Sequence, residues 1–383
     1  MDRRSFLATS SLAATVPLLS AVPAVHAAQS ATKLFSRVNF ASDGLGLDPR
    51  EYASVLQEAA AAGLQSDNYS NGGLVAELEQ RFAERLGKPA AMFVPTGTLA
   101  NHLAIRTLAG NDRRVLVQAE SHLYNDSGDG AALLSGLNLV PLAAGEPTLS
   151  LDEVRRWVER TAAGRVELRV GAISIENPVR RCDHRMVDVA ELERVCRYAR
   201  EQGIRLHLDG ARMFNLPQHS GRSVRDYAAL FDTVYVSLWK HFNGMSGAIL
   251  AGDADVMKGL YHVRRMFGGS LPHAWPCVAP VARYLDGYES DYARAWRAAD
   301  ELIALLTASG KFQIRRLEDG TSRIFMAASS IDAQTLVERA ASHDVRLPPA
   351  HPGTGEFSLE INPTLLRMAP AVVARILIQA AHG

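Results

Sequence analysis

Apolar residues recur at helical spacing at Val75, Leu78, Phe82 and Leu86, and Gly87 follows them, which predicts an amphipathic helix that stops at the glycine. Ala90 to Val94 then reads as a short buried strand, and Pro95-Thr96-Gly97-Thr98 as a turn that opens another helix. Asp188 and Glu191 form a capping pair, Leu192, Val195, Cys196 and Ala199 supply a buried helical face, and Gly203 ends that helix. In Ile204-Arg205-Leu206-His207-Leu208-Asp209 the alternation is strict, so Arg205, His207 and Asp209 share the face opposite the leucines. Thr233 to Trp239 is a further β-rich run, with Lys240 at its C-terminal end as Asp209 is at the end of the other.

Between about residues 75 and 250 these patterns alternate, which predicts an α/β layer with a mostly parallel sheet flanked by helices. After about residue 280 the pattern changes to a long helix, Tyr284 to Leu306, with strand-like pieces near Phe312 and Phe325. A helix from Asp332 and another from Ala371 to Ala381 follow, which together predict a small α+β unit. The expected division is a leader over residues 1–27, a large domain with an N-terminal arm over 28–280, and a small C-terminal domain over 281–383.

Composition narrows the function classes. The chain has 383 residues, 41 basic and 41 acidic, so no net charge invites nucleic acid or an anionic membrane. At 47% hydrophobic residues it is not a disordered chain. Lysine is scarce: Lys33, Lys88, Lys240, Lys258 and Lys311 are all there are, so amine chemistry has few candidates. Cys182, Cys196 and Cys277 have neither metal-ligand nor CxxC spacing, Cys196 falls on a buried helical stripe, and a pairing of two of them is left open. The opening Arg3-Arg4-Ser5-Phe6-Leu7, a modest apolar stretch and the small-x-small site Val25-His26-Ala27 read as a twin-arginine export signal. The expected location is therefore periplasmic or secreted.

The chemistry follows from strand ends. In open α/β sheets ligands bind outside the carboxyl ends of the strands, which sends Asp209 and Lys240 to one crevice. No GxGxxG, Walker lysine, HExxH or GxSxG is present. What remains is a Thr-Gly-Thr turn at a helix start, able to hold a phosphate, together with a lysine and a carboxylate. A desolvated lysine can form a Schiff base with an aldehyde cofactor, and a carboxylate can keep a pyridine nitrogen protonated. Those are the parts of a pyridoxal phosphate site.

Three strings carry a family likeness: Leu86-Gly87-Lys88-Pro89 continuing through Phe93 to Asn101, His207-Leu208-Asp209-Gly210-Ala211-Arg212, and Val236-Ser237-Leu238-Trp239-Lys240 leading to Ser246-Gly247-Ala248. The chain resembles the threonine aldolase and aromatic amino acid β-eliminating lyase group of fold-type-I pyridoxal phosphate enzymes. The resemblance implies pyridoxal 5'-phosphate, a large cofactor domain and a smaller C-terminal one, and a homodimer or homotetramer. It implies that Lys240 carries the cofactor and moves a proton at Cα, that Asp209 meets the pyridine nitrogen, and that Thr96, Gly97 and Thr98 hold the phosphate. His122 would stack on the ring and act as a base, and Arg212 and Ser42 would hold the substrate carboxylate. Arg180, Arg181, Tyr124, His241, Phe242, His273 and Trp275 are further pocket candidates, while His102 and His207 read as structural.

The departures fall on the substrate side. Val179, in Glu176-Asn177-Pro178-Val179-Arg180, replaces a second family histidine. Pro272 replaces an arginine, Ser127 stands beside Asp126 where a glutamate is usual, and Ser358 falls near the place of a C-terminal arginine for which Arg323 or Arg367 is a substitute. The expected activity is cleavage of a β-hydroxy-α-amino acid to glycine and an aldehyde. Its rivals are β-elimination, which needs no hydroxyl base, and a non-catalytic periplasmic binding protein on the same fold.

Overall fold

In the computed structural model the first predicted helix runs Gly73–Leu86, and Leu74, Val75, Leu78, Phe82 and Leu86 are its buried face. Gly87 closes it in the left-handed conformation, φ 65°, which any side chain would strain. The structure describes residues 34–329 and 331–382, so the leader expected over residues 1–27 lies outside the described residues. From Phe35 onward the chain forms one compact unit.

Seven strands make the central sheet: β1 (Ala90–Val94), β2 (Arg114–Gln118), β3 (Asn138–Leu142), β4 (Val170–Glu176), β5 (Arg205–Asp209), β6 (Thr233–Ser237) and β7 (Ala248–Gly252). Their spatial order is β1-β7-β6-β5-β4-β2-β3. β7 runs antiparallel to both neighbours and the other pairings are parallel. Every residue of β4, β6 and β7 is buried, as expected of strands covered by helices on both faces.

The sequence reading needs adjusting at three boundaries. The strand read to Trp239 ends at Ser237, so Lys240 stands in the turn beyond it. The long helix begins at Tyr288, running to Ala308, because a separate helix, Trp275–Tyr284, ends before Asp286 and Gly287. Asp188 does cap Glu191 N, but Glu191 turns its own carboxylate to Leu151 N at 2.5 Å, so the box is only half closed.

A second sheet, β8 (Phe312–Arg316), β9 (Arg323–Ala328) and β10 (Phe357–Glu360), is antiparallel with β9 in the middle. Helices Tyr288–Ala308, Ala333–Ala341 and Pro370–Ala380 belong to the same part of the chain. The N-terminal arm reaches it through a two-residue parallel pairing of Val38 and Asn39 with Val345 and Arg346.

Two contacts hold the lysine-bearing turn. Phe242 packs edge-on against Phe214 and Phe82, with centroids 4.9 and 5.5 Å away, and each such fully buried ring is worth roughly 2–3 kcal/mol. On the other side the arm crosses at Gly44, where a Cβ would come within 2.1 Å of the Lys240 carbonyl oxygen, and Leu45 N donates to Asn243 Oδ1 at 2.8 Å.

Candidate active site

Parallel strands in register place their end residues side by side. Glu176 on β4 pairs with Asp209 on β5, and Asp209 pairs with Tyr235 on β6, so three polar side chains at adjacent strand ends share one face. They line one cavity with Thr96, Gly97 and Thr98 after β1, His122 after β2, Arg212 after β5, Lys240 after β6 and Ser246 before β7. Because β7 is antiparallel, its start lies on the same rim as the ends of the others.

Helix Gly97–Ala109 begins at this rim. Thr96 is its cap, its hydroxyl accepting Leu99 N at 3.2 Å, which leaves the Gly97 and Thr98 N–H groups without intrahelical partners at a positive helix end. Gly97 has no room for a side chain, since a Cβ would meet Tyr235 Oη at 1.9 Å.

Asp209 is fixed by a buried chain of hydrogen bonds. A carboxylate only accepts, so Asn101 turns its amide Nδ2 to Asp209 Oδ2 at 2.5 Å and its carbonyl to His207 Nε2 at 2.9 Å. His207 Nε2 therefore donates, and Nδ1 accepts from the Thr233 hydroxyl at 2.8 Å. Burial pushes the His207 imidazole down to about 4, which keeps it neutral and suits this tautomer. Ala211 N donates to the other Asp209 oxygen at 3.1 Å.

Lys240 is buried at 9% exposure, and among the described residues its Nζ makes no hydrogen bond or ion pair, lying 4.8 Å from the centre of the Trp239 ring. Burial, and then the charge of Arg212, push its amine down to about 8. His122 is also held below the ordinary imidazole range, first by burial, and its Nδ1 is buried without a partner. Glu176, which sequence reasoning passed over as a site residue, clamps the two loops facing it. Its carboxylate accepts His122 N at 2.7 Å and Arg180 N at 2.9 Å. Its signal was available: it ends a strand level with Asp209.

Arg212 lies in the cavity wall with one edge of its guanidinium paired to both oxygens of Asp43, Nε–Oδ1 2.6 Å and Nη2–Oδ2 3.0 Å. Beyond them Glu360 takes Arg323, and His184 bonds Ser322 at 2.9 Å. Asp43, His184 and Glu360 lie together as a metal's ligands would, but both carboxylates already hold an arginine, so this is a buried ion-pair network.

Other expected residues fall elsewhere. Ser42 is not in the cavity lining. Arg367 donates to the Arg37 carbonyl and Arg323 is held by Glu360; neither lines the cavity, and the Ser358 hydroxyl is buried without a partner. His241 stacks on Tyr288 at 4.7 Å, Phe242 is core, His273 bonds the Asp67 carbonyl, and Tyr124 stands half exposed outside the lining. Trp275 and Arg181 are likewise outside it, whereas Arg180 is inside. Val179 is wholly buried in the main core. His102 bonds Ser135. All three cysteines are free thiols.

The family model for beta-eliminating lyases matches residues 48–330, most of the chain. The chain belongs to this family. Among its relatives, the low specificity L-threonine aldolase of Saccharomyces cerevisiae is 26% identical over 299 residues, which is 77% of this chain and 76% of the yeast protein. The low specificity L-threonine aldolase of Escherichia coli K12 is 29% identical over 223 residues, 58% of this chain and 66% of that one. A solved structure from Listeria monocytogenes, assigned as an L-allo-threonine aldolase, superposes with a TM-score of 0.73 at 27% identity, covering 88% of this chain and 94% of the other. The fold is that of the fold-type-I pyridoxal phosphate enzymes, and the family's cofactor fits the cavity. The Lys240 amine without a hydrogen-bond partner among the described residues, the His122 ring, a carboxylate with fixed orientation and a helix start with free N–H groups line one space.

Proposed function

We propose that this chain is a pyridoxal 5'-phosphate-dependent lyase of the threonine aldolase type, cleaving a β-hydroxy-α-amino acid to glycine and an aldehyde. The observation that carries the reading is the meeting of Lys240, Asp209, His122 and the Gly97–Thr98 helix start on one cavity. The bound cofactor supplies an electron sink for the pair of electrons left on Cα.

The chain supplies the rest. Gly97 and Thr98 hold the phosphate with backbone N–H groups and the Thr98 hydroxyl. Asp209, held in place through Asn101, would pair with the pyridine nitrogen. Lys240 would hold the cofactor through its aldehyde carbon, and its amine, tuned toward neutrality by burial, is the group that would move a proton at Cα. His122, kept neutral by burial and lining the cavity, takes the proton of the β-hydroxyl. Arg212 offers the substrate carboxylate the N–H groups it does not give to Asp43.

The test is the visible spectrum of the purified protein, with and without borohydride, followed by incubation with threonine or phenylserine. A band removed by borohydride and missing in Lys240→Ala, with release of glycine and an aldehyde, is expected. A protein that stays colourless in added cofactor fits a non-catalytic binding protein and overturns the reading. One observation favours β-elimination as a second reading: with Val179 in the core, His122 is the one imidazole in the lining. Pyruvate and ammonia from a substrate with a leaving group on Cβ would establish it.

Three further parts belong to this proposal. Residues 1–27 direct twin-arginine export, so a mature chain starting at Ala28 is expected in the periplasmic fraction, and Arg3→Lys with Arg4→Lys is expected to stop its arrival. The mature enzyme divides near residue 280 into a cofactor domain and a small C-terminal domain. It assembles as a homodimer or homotetramer, which light scattering reads directly.

A further inference from the structure

We infer that Arg180 makes this site selective for β-hydroxy-α-amino acids that carry a carboxylate on Cβ, so that the aldehyde released is an oxo acid, glyoxylate in the simplest case. The inference rests on the lyase reading and deepens it by naming the substrate class.

Position and charge carry the argument. Val179 is turned into the core, and the next side chain, Arg180, lines the cavity instead. Its backbone is pinned there by Glu176 Oε1 at 2.9 Å. The guanidinium touches Asp126, but Arg181 takes the same carboxylate through two bonds, Nη2–Oδ1 at 2.8 Å and Nε–Oδ2 at 3.3 Å. Two permanent positive charges thus share one negative charge. Of the five N–H donors on the Arg180 guanidinium, a single one goes to Asp126.

The neighbours decide which anion this is. Of the two arginines in the lining Arg212 is the more buried, at 6% exposure, and its charge is the strongest acting on Lys240, which gives it the α-carboxylate. Arg180 is partly exposed at the mouth, and its charge is felt at His122. A group there meets the substrate beyond Cα. Arginine keeps its proton throughout the accessible pH range, so Arg180 cannot replace the lost histidine as a base, but its planar fork suits a carboxylate.

For 3-hydroxyaspartate the Cα–Cβ bond breaks and its electron pair stays on Cα. The β-hydroxyl loses its proton as the aldehyde C=O forms, and Cα takes up one proton. Glycine and glyoxylate account for every atom, with no oxidant or reductant.

The test titrates the cofactor-loaded protein with L-aspartate, L-alanine and glycine, following the visible spectrum. Aspartate carries the carboxylate on Cβ, and alanine is the same skeleton without it. Tighter binding of aspartate than alanine by about 10-fold or more is expected, and Arg180→Gln is expected to cut that ratio by roughly 10- to 100-fold, the range for a hydrogen bond to a charged group. Arg180→Lys keeps the charge and is expected to retain part of the preference, and an unchanged visible band and glycine response in Arg180→Gln show that this variant kept its fold. In turnover, 3-hydroxyaspartate over threonine should follow the same ratio. A wild type without aspartate preference, or an Arg180→Gln that weakens aspartate and alanine equally, overturns the inference, the latter by making Arg180 the α-carboxylate residue. Failure of the lyase reading looks different, with no visible band or no response to glycine, and it removes both.

Discussion

Asn101 and Asp209 are joined by a 2.5 Å hydrogen bond between buried side chains, of which Asp209 borders the cavity. The bond has a direction that the surroundings enforce, because His207 occupies the Asn101 carbonyl and is itself fixed by Thr233. Asp209 therefore cannot rotate away from the cavity. Asn101→Ala strands one acceptor on Asp209 and one donor on His207, at a cost of about 1–3 kcal/mol for each buried group. The expected result is a lower urea midpoint and faster loss of pyridoxal phosphate, measured by dialysis of the coloured protein. Unchanged cofactor retention would show that Asp209 holds its orientation without this chain of bonds.

The lysine sets a pH dependence. With its amine pushed down to about 8 from the ordinary 10.5, the neutral, nucleophilic form of Lys240 gains as pH rises through about 8. Capture of pyridoxal phosphate by the cofactor-free protein is therefore expected to accelerate between about pH 7 and 9, and to level off well below the range of an exposed lysine. Stopped-flow absorbance reads this directly. A rate still climbing steeply above pH 10 would mean that the amine is neither buried nor influenced by Arg212.

At Gly97 two effects oppose each other. Alanine raises helix propensity by up to about 1 kcal/mol, but its Cβ would sit 1.9 Å from a Tyr235 hydroxyl that is buried and cannot swing aside. Overpacking of this kind costs about 1–3 kcal/mol, so the clash wins. Gly97→Ala is expected to lower both thermal stability and cofactor occupancy. Adding Tyr235→Leu, which removes the ring, is expected to restore part of the stability, so the double mutant should be markedly non-additive. Simple additivity would place the effect elsewhere.

How much of this was legible in the sequence depends on the range of the interaction. Strand-end residues such as Asp209 could be placed because alternation assigns a face and the α/β rule assigns an end. Helices with clear stripes, such as Gly73–Leu86, were equally readable. What escaped was whatever depends on a second segment. Asp43 reads as one acidic residue in the arm, and only the folded chain brings it 169 positions across to Arg212. Ser42 beside it was expected at the substrate and is not in the cavity lining, because it is the Asp43 side chain that reaches the guanidinium. His207 reads as structural and is so, but its role appears only through Asn101, 106 positions away. Val179 shows the finest limit: the family string points to that position, yet its side chain is core, and the neighbouring Arg180, readable from the sequence only as one pocket candidate among seven, lines the cavity.

Glu176 gives the last prediction. Its carboxyl is pushed up to about 7 from 4.5, by burial first and the nearby Asp209 second, with the two backbone N–H groups opposing. Between about pH 4.5 and 7 the folded state then holds a proton that the unfolded state has released. With more protons bound in the native state, the slope of unfolding free energy against pH is negative, so this group lowers stability as pH rises through that window. Glu176→Gln keeps an oxygen acceptor and abolishes the titration. The difference in stability between variant and wild type should therefore grow from pH 4.5 to 7 in favour of glutamine and stay flat above, as read by urea unfolding at each pH. Glutamine has one carbonyl oxygen for two donors, so the loops carrying His122 and Arg180 should loosen, with a raised KM as the sign. A difference that does not change with pH would mean that Glu176 is already ionised at the lower limit and that its two N–H donors outweigh burial.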